Sequence, residues 1–338
     1  MNNLSILSSI ECLYPADCLA LNKDEEILAV GMYNLDELNK ERIGGISLYN
    51  TKDLIQKKST CSNIFINTGT GVLNCMWDKS TLQGIGLVCI CSDRTLRLYK
   101  YGNNKLFNLA SKIETGRCPN SSVIGLDMDI LGQKDIRRAC FSLSDGRVCI
   151  VKDMTYLERE FNAHNKSEVW TLSFIKNENI IATGADDCIL AIWDIRCNFT
   201  SSIAKNTTSH NMGITCITPS CNETSFWTGS YDEYIRYWDI RKLDNAIYEY
   251  KINCGVWRIK IFGNFIGLAE CHYGFDVLSK DENNEIRDLY ASLENLSPLS
   301  PSHTSIVYGI EMFNRDNTTF GMSCSFYDKT LLTWKLDN

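Results

Sequence analysis

The chain has 338 residues, 44% of them hydrophobic, a net charge of -7 and 16 cysteines. That length and apolar content support one large core, and scattered basic residues leave no electrostatic footprint for nucleic acid. No apolar run is long enough to span a bilayer, and the N-terminus lacks the basic start and small-residue cleavage site of a secretory leader, so a cytoplasmic protein without membrane contact is expected.

Read from the start, Leu4 to Leu13 is an apolar, strand-like segment that precedes the first repeat. The first unit, about Ala16 to Tyr49, is distorted by a hairpin insertion around Asn34 to Arg42. The second and third carry an aspartate six positions ahead of an apolar residue, Asp93 before Tyr99 and Asp145 before Val151. The fourth and fifth make the pattern plain: Thr183 to Arg196 and Thr228 to Arg241 are near copies, with Asp187 six before Trp193 and Asp232 six before Trp238. His164 and His210 lie upstream of these aspartates by 23 and 22 residues. The spacing has a mechanical reason. A strand ends in a tight turn whose aspartate accepts bonds from turn amides and a histidine, and the next strand runs out to the tryptophan. These are WD repeats.

The sixth unit, Gly255 to Leu278, has His272 where the aspartate is expected, and a polar stretch from Lys280 to Ser302 reads as a loop. The seventh has His303, Asp328 and Trp334, and it stops after its third strand. Seven such units predict an all-β, seven-bladed propeller forming a single domain over 1–338. The missing outer strand is expected from residues 4–13, which closes the ring and removes two open edges.

Cys89, Cys140, Cys149, Cys188 and Cys216 fall in strand patterns and no C-x-x-C pair occurs, so reduced core thiols are expected. Cys271 and His272 are strand neighbours pointing to opposite faces, which does not make a metal site. Neither metal nor other cofactor is expected.

In WD propellers the residue after the first apolar position of each inner strand faces the channel mouth. Here that frame selects Asp17, Leu73, Ile124, Trp170, Thr215, Trp257 and Tyr308. Aromatic faces with one carboxylate suit a cation that keeps few waters, such as a quaternary ammonium. The aromatics either line that mouth or fill gaps between blades. His272, on the loop edge at the same rim, is a second candidate for taking a proton from water.

Gly229-Ser-Tyr-Asp-Glu233 with Trp238-Asp-Ile-Arg241, Gly255-Val-Trp-Arg-Ile-Lys260, Cys271-His-Tyr-Gly-Phe275, Ser305-Ile-Val-Tyr-Gly309 and Ser323-Cys-Ser-Phe-Tyr-Asp328 occur in that order. Together with Ala16-Asp17 they resemble the WD-repeat diphthine methylesterases of the diphthamide pathway, a family also named diphthine methyltransferases. The resemblance implies hydrolysis of the methyl ester on a trimethylammonio-bearing modified histidine of translation elongation factor 2, the expected partner. Base-assisted attack of water is the most economical chemistry for these residues, with Asp17 or His272 as the base, Trp170, Trp257 and Tyr308 as the cation site with Thr215 beside them, and Arg258 or a backbone amide for the oxyanion. No G-x-S-x-G elbow or Cys-His pairing supports a covalent route. One departure is Cys254-Gly255, where the family usually has Gly-Gly. A competing reading is a non-catalytic adaptor, because Trp193-Asp-Ile-Arg196 and Trp238-Asp-Ile-Arg241 resemble the W-D-x-R signature of cullin-type ubiquitin-ligase receptors.

Overall fold

Seven four-stranded antiparallel sheets follow one another along the chain, in a computed structural model that describes residues 4–24, 26–56, 64–78, 85–102, 107–116, 122–133, 136–175, 179–197, 201–272, 274–293 and 300–337. Six sheets take four consecutive strands each. The seventh combines Val307–Arg315, Thr318–Ser325 and Thr330–Leu336 with the N-terminal strand Leu4–Glu11. That strand pairs from Leu4 opposite Leu336 to Glu11 opposite Thr330, so the first and last segments of the chain share one blade. The expected closure is therefore present, and it satisfies the backbone groups of two edges that would otherwise be exposed.

Apolar side chains account for the ring. Seven buried clusters are found among the described residues, each spanning two adjacent blades. One of them joins Ala16, Val30 and Met32 of blade 1 to Phe313, Met322 and Leu331 of blade 7. A blade buries its faces only against its neighbours, so stability is a property of the closed ring.

The repeat signature sits inside this packing. In blade 4, Thr183 Oγ1 is bonded to His164 Nε2 (2.7 Å) and accepts from Trp193 Nε1 (2.9 Å), while His164 Nδ1 meets Asp187 at 3.0 Å. Blade 5 keeps the Thr228 bonds to His210 and Trp238, but its Asp232 pairs with the buried Arg236 at 2.9 Å. Blade 2 uses Arg97 against Asp93 in the same way. These aspartates and histidines hold turns.

Two expectations change. The stretch Lys280 to Ser302 contains the outer strand Ile286–Ser292 of blade 6, masked in the sequence by its charged exposed face, and residues 294–299 lie outside the described set. Cys188 lies in a turn with a φ of 64°, not in a strand. The other expected strand cysteines are buried free thiols. The insertion around Asn34 to Arg42 is an extension of one hairpin, with Asp36 opposite Glu41. Among the described residues no helix is long and apolar enough to cross a membrane.

Candidate functional site

The seven inner strands are Ala16–Asn22, Val72–Asp78, Gly125–Gln133, Thr171–Phe174, Ile214–Pro219, Val256–Phe262 and Val307–Arg315. Five of them share one irregularity. Pairing with the second strand skips a residue between Ala16 and Cys18, Val72 and Asn74, Ile214 and Cys216, Val256 and Arg258, and Val307 and Gly309. The residues skipped are Asp17, Leu73, Thr215, Trp257 and Tyr308. A bulge adds one residue on one strand and re-aims its side chain, which is how a regular propeller presents irregular groups at its channel.

Three of these positions, Asp17, Trp257 and Tyr308, and Trp170 just ahead of its strand, are expected site residues. The Trp170 and Trp257 ring centroids lie 5.8 Å apart, and Trp257 meets Tyr308 edge-on at 4.5 Å, so side chains of blades 4, 6 and 7 converge on one opening. The chain of rings continues from Tyr308 to Phe326 (5.3 Å) and on to Tyr33 (4.8 Å), and Tyr231 adds a further contact to Trp257 at 5.8 Å. All of these aromatics are half-buried. The closeness of Trp257 and Tyr308 leaves no cation-sized gap between those two rings. At the edge of the arc the exposed Asp186 accepts from Trp170 Nε1 at 3.3 Å, adding a carboxylate to the rim.

Asp17 is only 6% exposed, and no hydrogen bond from another described residue holds its carboxylate. Burial pushes it up to about 8, Arg258 pulls it down and Asp127 raises it again. It lies close enough to Tyr33 and Tyr308 that, after burial, its charge is the next influence raising both phenols. Arg258 is braced by donating from Nη1 to the Thr215 carbonyl at 3.1 Å, with Nη2 at 3.7 Å from Asp127. Asp127 in turn accepts from Asn74 Nδ2, from its neighbour Met128 N (2.9 Å) and from Leu172 N (3.3 Å). Asp17, Arg258 and Asp127 form a waist of ionisable groups next to the rings.

Other expected residues are placed differently. Thr215 is 1% exposed and its hydroxyl donates to the Gly229 and Val256 carbonyls, tying blade 5 to blade 6. Leu73 joins the apolar cluster between blades 2 and 3. Ile124 precedes a displaced bulge, and that blade sends Asp127 to the channel instead. His272 is exposed at the turn after the second strand of blade 6, where its N–H donates to Cys254 Sγ at 3.2 Å, so the cysteine that departs from Gly-Gly supports this turn. Its neighbour Tyr273 lies outside the described residues.

Asp127, Asp186, Tyr231, Phe326 and Tyr33 are additions that the frame did not select. Asp186 and Tyr231 each immediately precede the repeat aspartate of their blade, as does the 70% exposed Tyr327, which contacts Phe326 at 5.2 Å. That position is a usable signal: it places a side chain at the rim from the turn side.

The WD domain, G-beta repeat family matches residues 155–194 and 202–239, the two most regular blades. A protein named diphthine methyltransferase homolog from Dictyostelium discoideum is 32% identical over 294 residues, 80% of this chain and 77% of the relative. The chain belongs to the diphthine methyltransferase family. Proteins named diphthine methyltransferase from Schizosaccharomyces pombe (24% identical, 95% of each chain) and Saccharomyces cerevisiae (25%, 97% of each) extend the match across nearly the whole length. The adaptor reading gains nothing from these diphthine methyltransferases, and the W-D-x-R arginines are folded back locally, Arg196 onto Asp194 (2.6 Å) and Arg241 onto Asp239 (2.5 Å).

Proposed function

We propose that this member of the family hydrolyses the methyl ester of methylated diphthine on translation elongation factor 2, a step of cytoplasmic diphthamide biosynthesis that frees a carboxylate for amidation. One observation carries the reading: an aromatic arc at the channel mouth adjoins a buried carboxylate that lies within electrostatic reach of an arginine. The trimethylammonio group rests on the accessible faces of Trp170, Trp257 and Tyr231 next to Asp186, where each cation–π contact contributes roughly 0.5–2 kcal/mol. The ester carbonyl reaches past the rings to Arg258, which opposes the charge that develops on its oxygen.

Asp17 is the base in this scheme. Its raised pKa suits proton transfer near neutral pH better than an ordinary carboxylate, and the incoming quaternary cation favours the ionised form needed to accept a proton from water. His272 is the weaker candidate because it is exposed on the turn of one blade, whereas Asp17 lies within the electrostatic reach of Arg258 and Tyr308. The test is incubation of the purified protein with elongation factor 2 bearing methylated diphthine, followed by mass spectrometry of the modified histidine peptide. Loss of one methylene equivalent, with methanol released, is expected. An unchanged peptide sinks the reading.

A further inference from the structure

Below the waist, on the side away from the aromatic mouth, all seven inner strands enclose a chamber of about 340 Å³. Its upper end touches Arg258, Asp127 and Tyr308, and its lower end runs to the exposed Pro219 and the Lys260–Glu311 ion pair. At roughly 30 Å³ per molecule this is room for on the order of ten waters, and the polar groups interspersed in its mixed wall, with the Lys260–Glu311 ion pair, favour a hydrated channel over a dry void. The chamber thus begins at the groups that flank Asp17 and leads to the face opposite the mouth.

We propose that this chamber is the small-molecule route of the site, delivering the hydrolytic water to the waist and draining methanol to the opposite face. The inference rests on the esterase reading above. A protein substrate seated on the mouth, with its ammonium group against rings already in contact, seals the upper entrance. The reaction nevertheless consumes one water and releases one methanol per turnover. A water oxygen bonds to the carbonyl carbon, the bond from that carbon to the methoxy oxygen breaks, and methoxy leaves with one proton as methanol. Asp17 takes that proton from the attacking water and hands it to the methoxy oxygen, and the second water proton is lost to solvent as the new carboxyl group ionises. Charged groups at the upper end and an open lower end let small polar molecules use the chamber while the modified histidine cannot.

Met76 and Thr218 line the chamber from blades 2 and 5, and the test narrows it there. Met76→Phe, Met76→Trp and Thr218→Trp, measured with methylated elongation factor 2, are expected to lower kcat in order of added bulk, by about tenfold or more for the tryptophans, while KM for the protein substrate stays within about twofold. In wild-type protein, added methanol is expected to inhibit noncompetitively against the protein substrate, since the two occupy opposite ends of the axis. This second measurement stands even if a bulky variant fails to fold. Active wild type with folded variants of undiminished kcat, or purely competitive methanol inhibition, overturns the chamber's role alone. Inactive wild type removes the esterase reading and the chamber's role with it.

Discussion

The two ends of the axial channel are built on opposite principles. The mouth is an arc of touching aromatic rings from blades 1, 4, 5, 6 and 7, whereas the lower chamber alternates polar and apolar groups and holds an ion pair. Between them, Asp17 is buried and is held back from a still higher pKa by Arg258. An apolar, electron-rich rim suits a weakly hydrated cation, and a wet chamber suits water and alcohol. On the proposed esterase reading, the reacting bond lies at the waist, where one environment hands over to the other.

The largest effect is expected from removing the waist carboxylate. Asp17→Asn should lower kcat/KM by roughly 100- to 10,000-fold, the range of a general base, with methyl loss followed by mass spectrometry. In the wild type, kcat/KM should rise with pH and level off above about 8, because only ionised Asp17 accepts the proton. Stability moves the other way. The folded state keeps the Asp17 proton between the ordinary carboxylate range and about 8, so this group's contribution is full at low pH and is lost as pH rises through that window. Thermal melts of Asp17→Asn against wild type should therefore diverge in favour of the variant toward pH 9. A variant with full activity would move the base elsewhere on the rim, with His272 the next residue to replace.

Next in size is Arg258→Gln. Loss of the guanidinium removes the charge that pulls Asp17 down, so the rising limb of the pH profile should shift upward from about 8 while kcat falls by roughly 100-fold through loss of oxyanion stabilisation. The two effects separate the arginine's roles. A rate loss with an unmoved profile would leave the ester contact and remove the electrostatic link to Asp17.

How much of this was legible in the sequence differs between frame and detail. The blades were readable because the spacing of Asp187 and Trp193, repeated at Asp232 and Trp238, reflects a turn and strand length fixed by local geometry. Closure was readable from the missing last strand. At the mouth, Trp170, Trp257 and Tyr308 could be selected because each sits at or beside the start of an inner strand, where a bulge or strand entry faces the axis. The same register misplaced Leu73 and Thr215, since a bulged position points to the channel in one blade and into a blade interface in another, according to what the neighbouring blade leaves open. Asp127 was hidden because the third blade shifts its bulge, and Tyr231 because its contact with Trp257 is made across blades.

A smaller effect is expected at the rings. Trp257→Ala should raise KM for the methylated substrate roughly 2- to 30-fold, the equivalent of 0.5–2 kcal/mol of cation–π attraction. Tetramethylammonium should compete with substrate on wild type and much less on the variant. Because Trp257 also touches Trp170, Tyr231 and Tyr308, Trp257→Phe is the companion that keeps an aromatic face with less bulk, and it should recover part of the affinity. Equal losses in both variants would point to packing of the arc and away from the cation.

The finest distinction concerns Asp186, whose exposed carboxylate accepts from Trp170 at the rim. An exposed charge acting on a cation through solvent is worth at most about 1 kcal/mol, so Asp186→Asn should raise KM no more than about fivefold and leave kcat alone. The loss should shrink as salt is raised, since the Debye length falls to roughly 8 Å at physiological ionic strength and further beyond it. Asparagine can still accept from the indole, so the Trp170 ring keeps its bond while the charge is lost. A KM that rises at low salt and converges with wild type at high salt assigns the carboxylate to attraction of the ammonium group. A salt-independent change would assign it to positioning of Trp170, and the mouth would then bind its cation through aromatic faces alone, in sharper contrast to the charged chamber beneath.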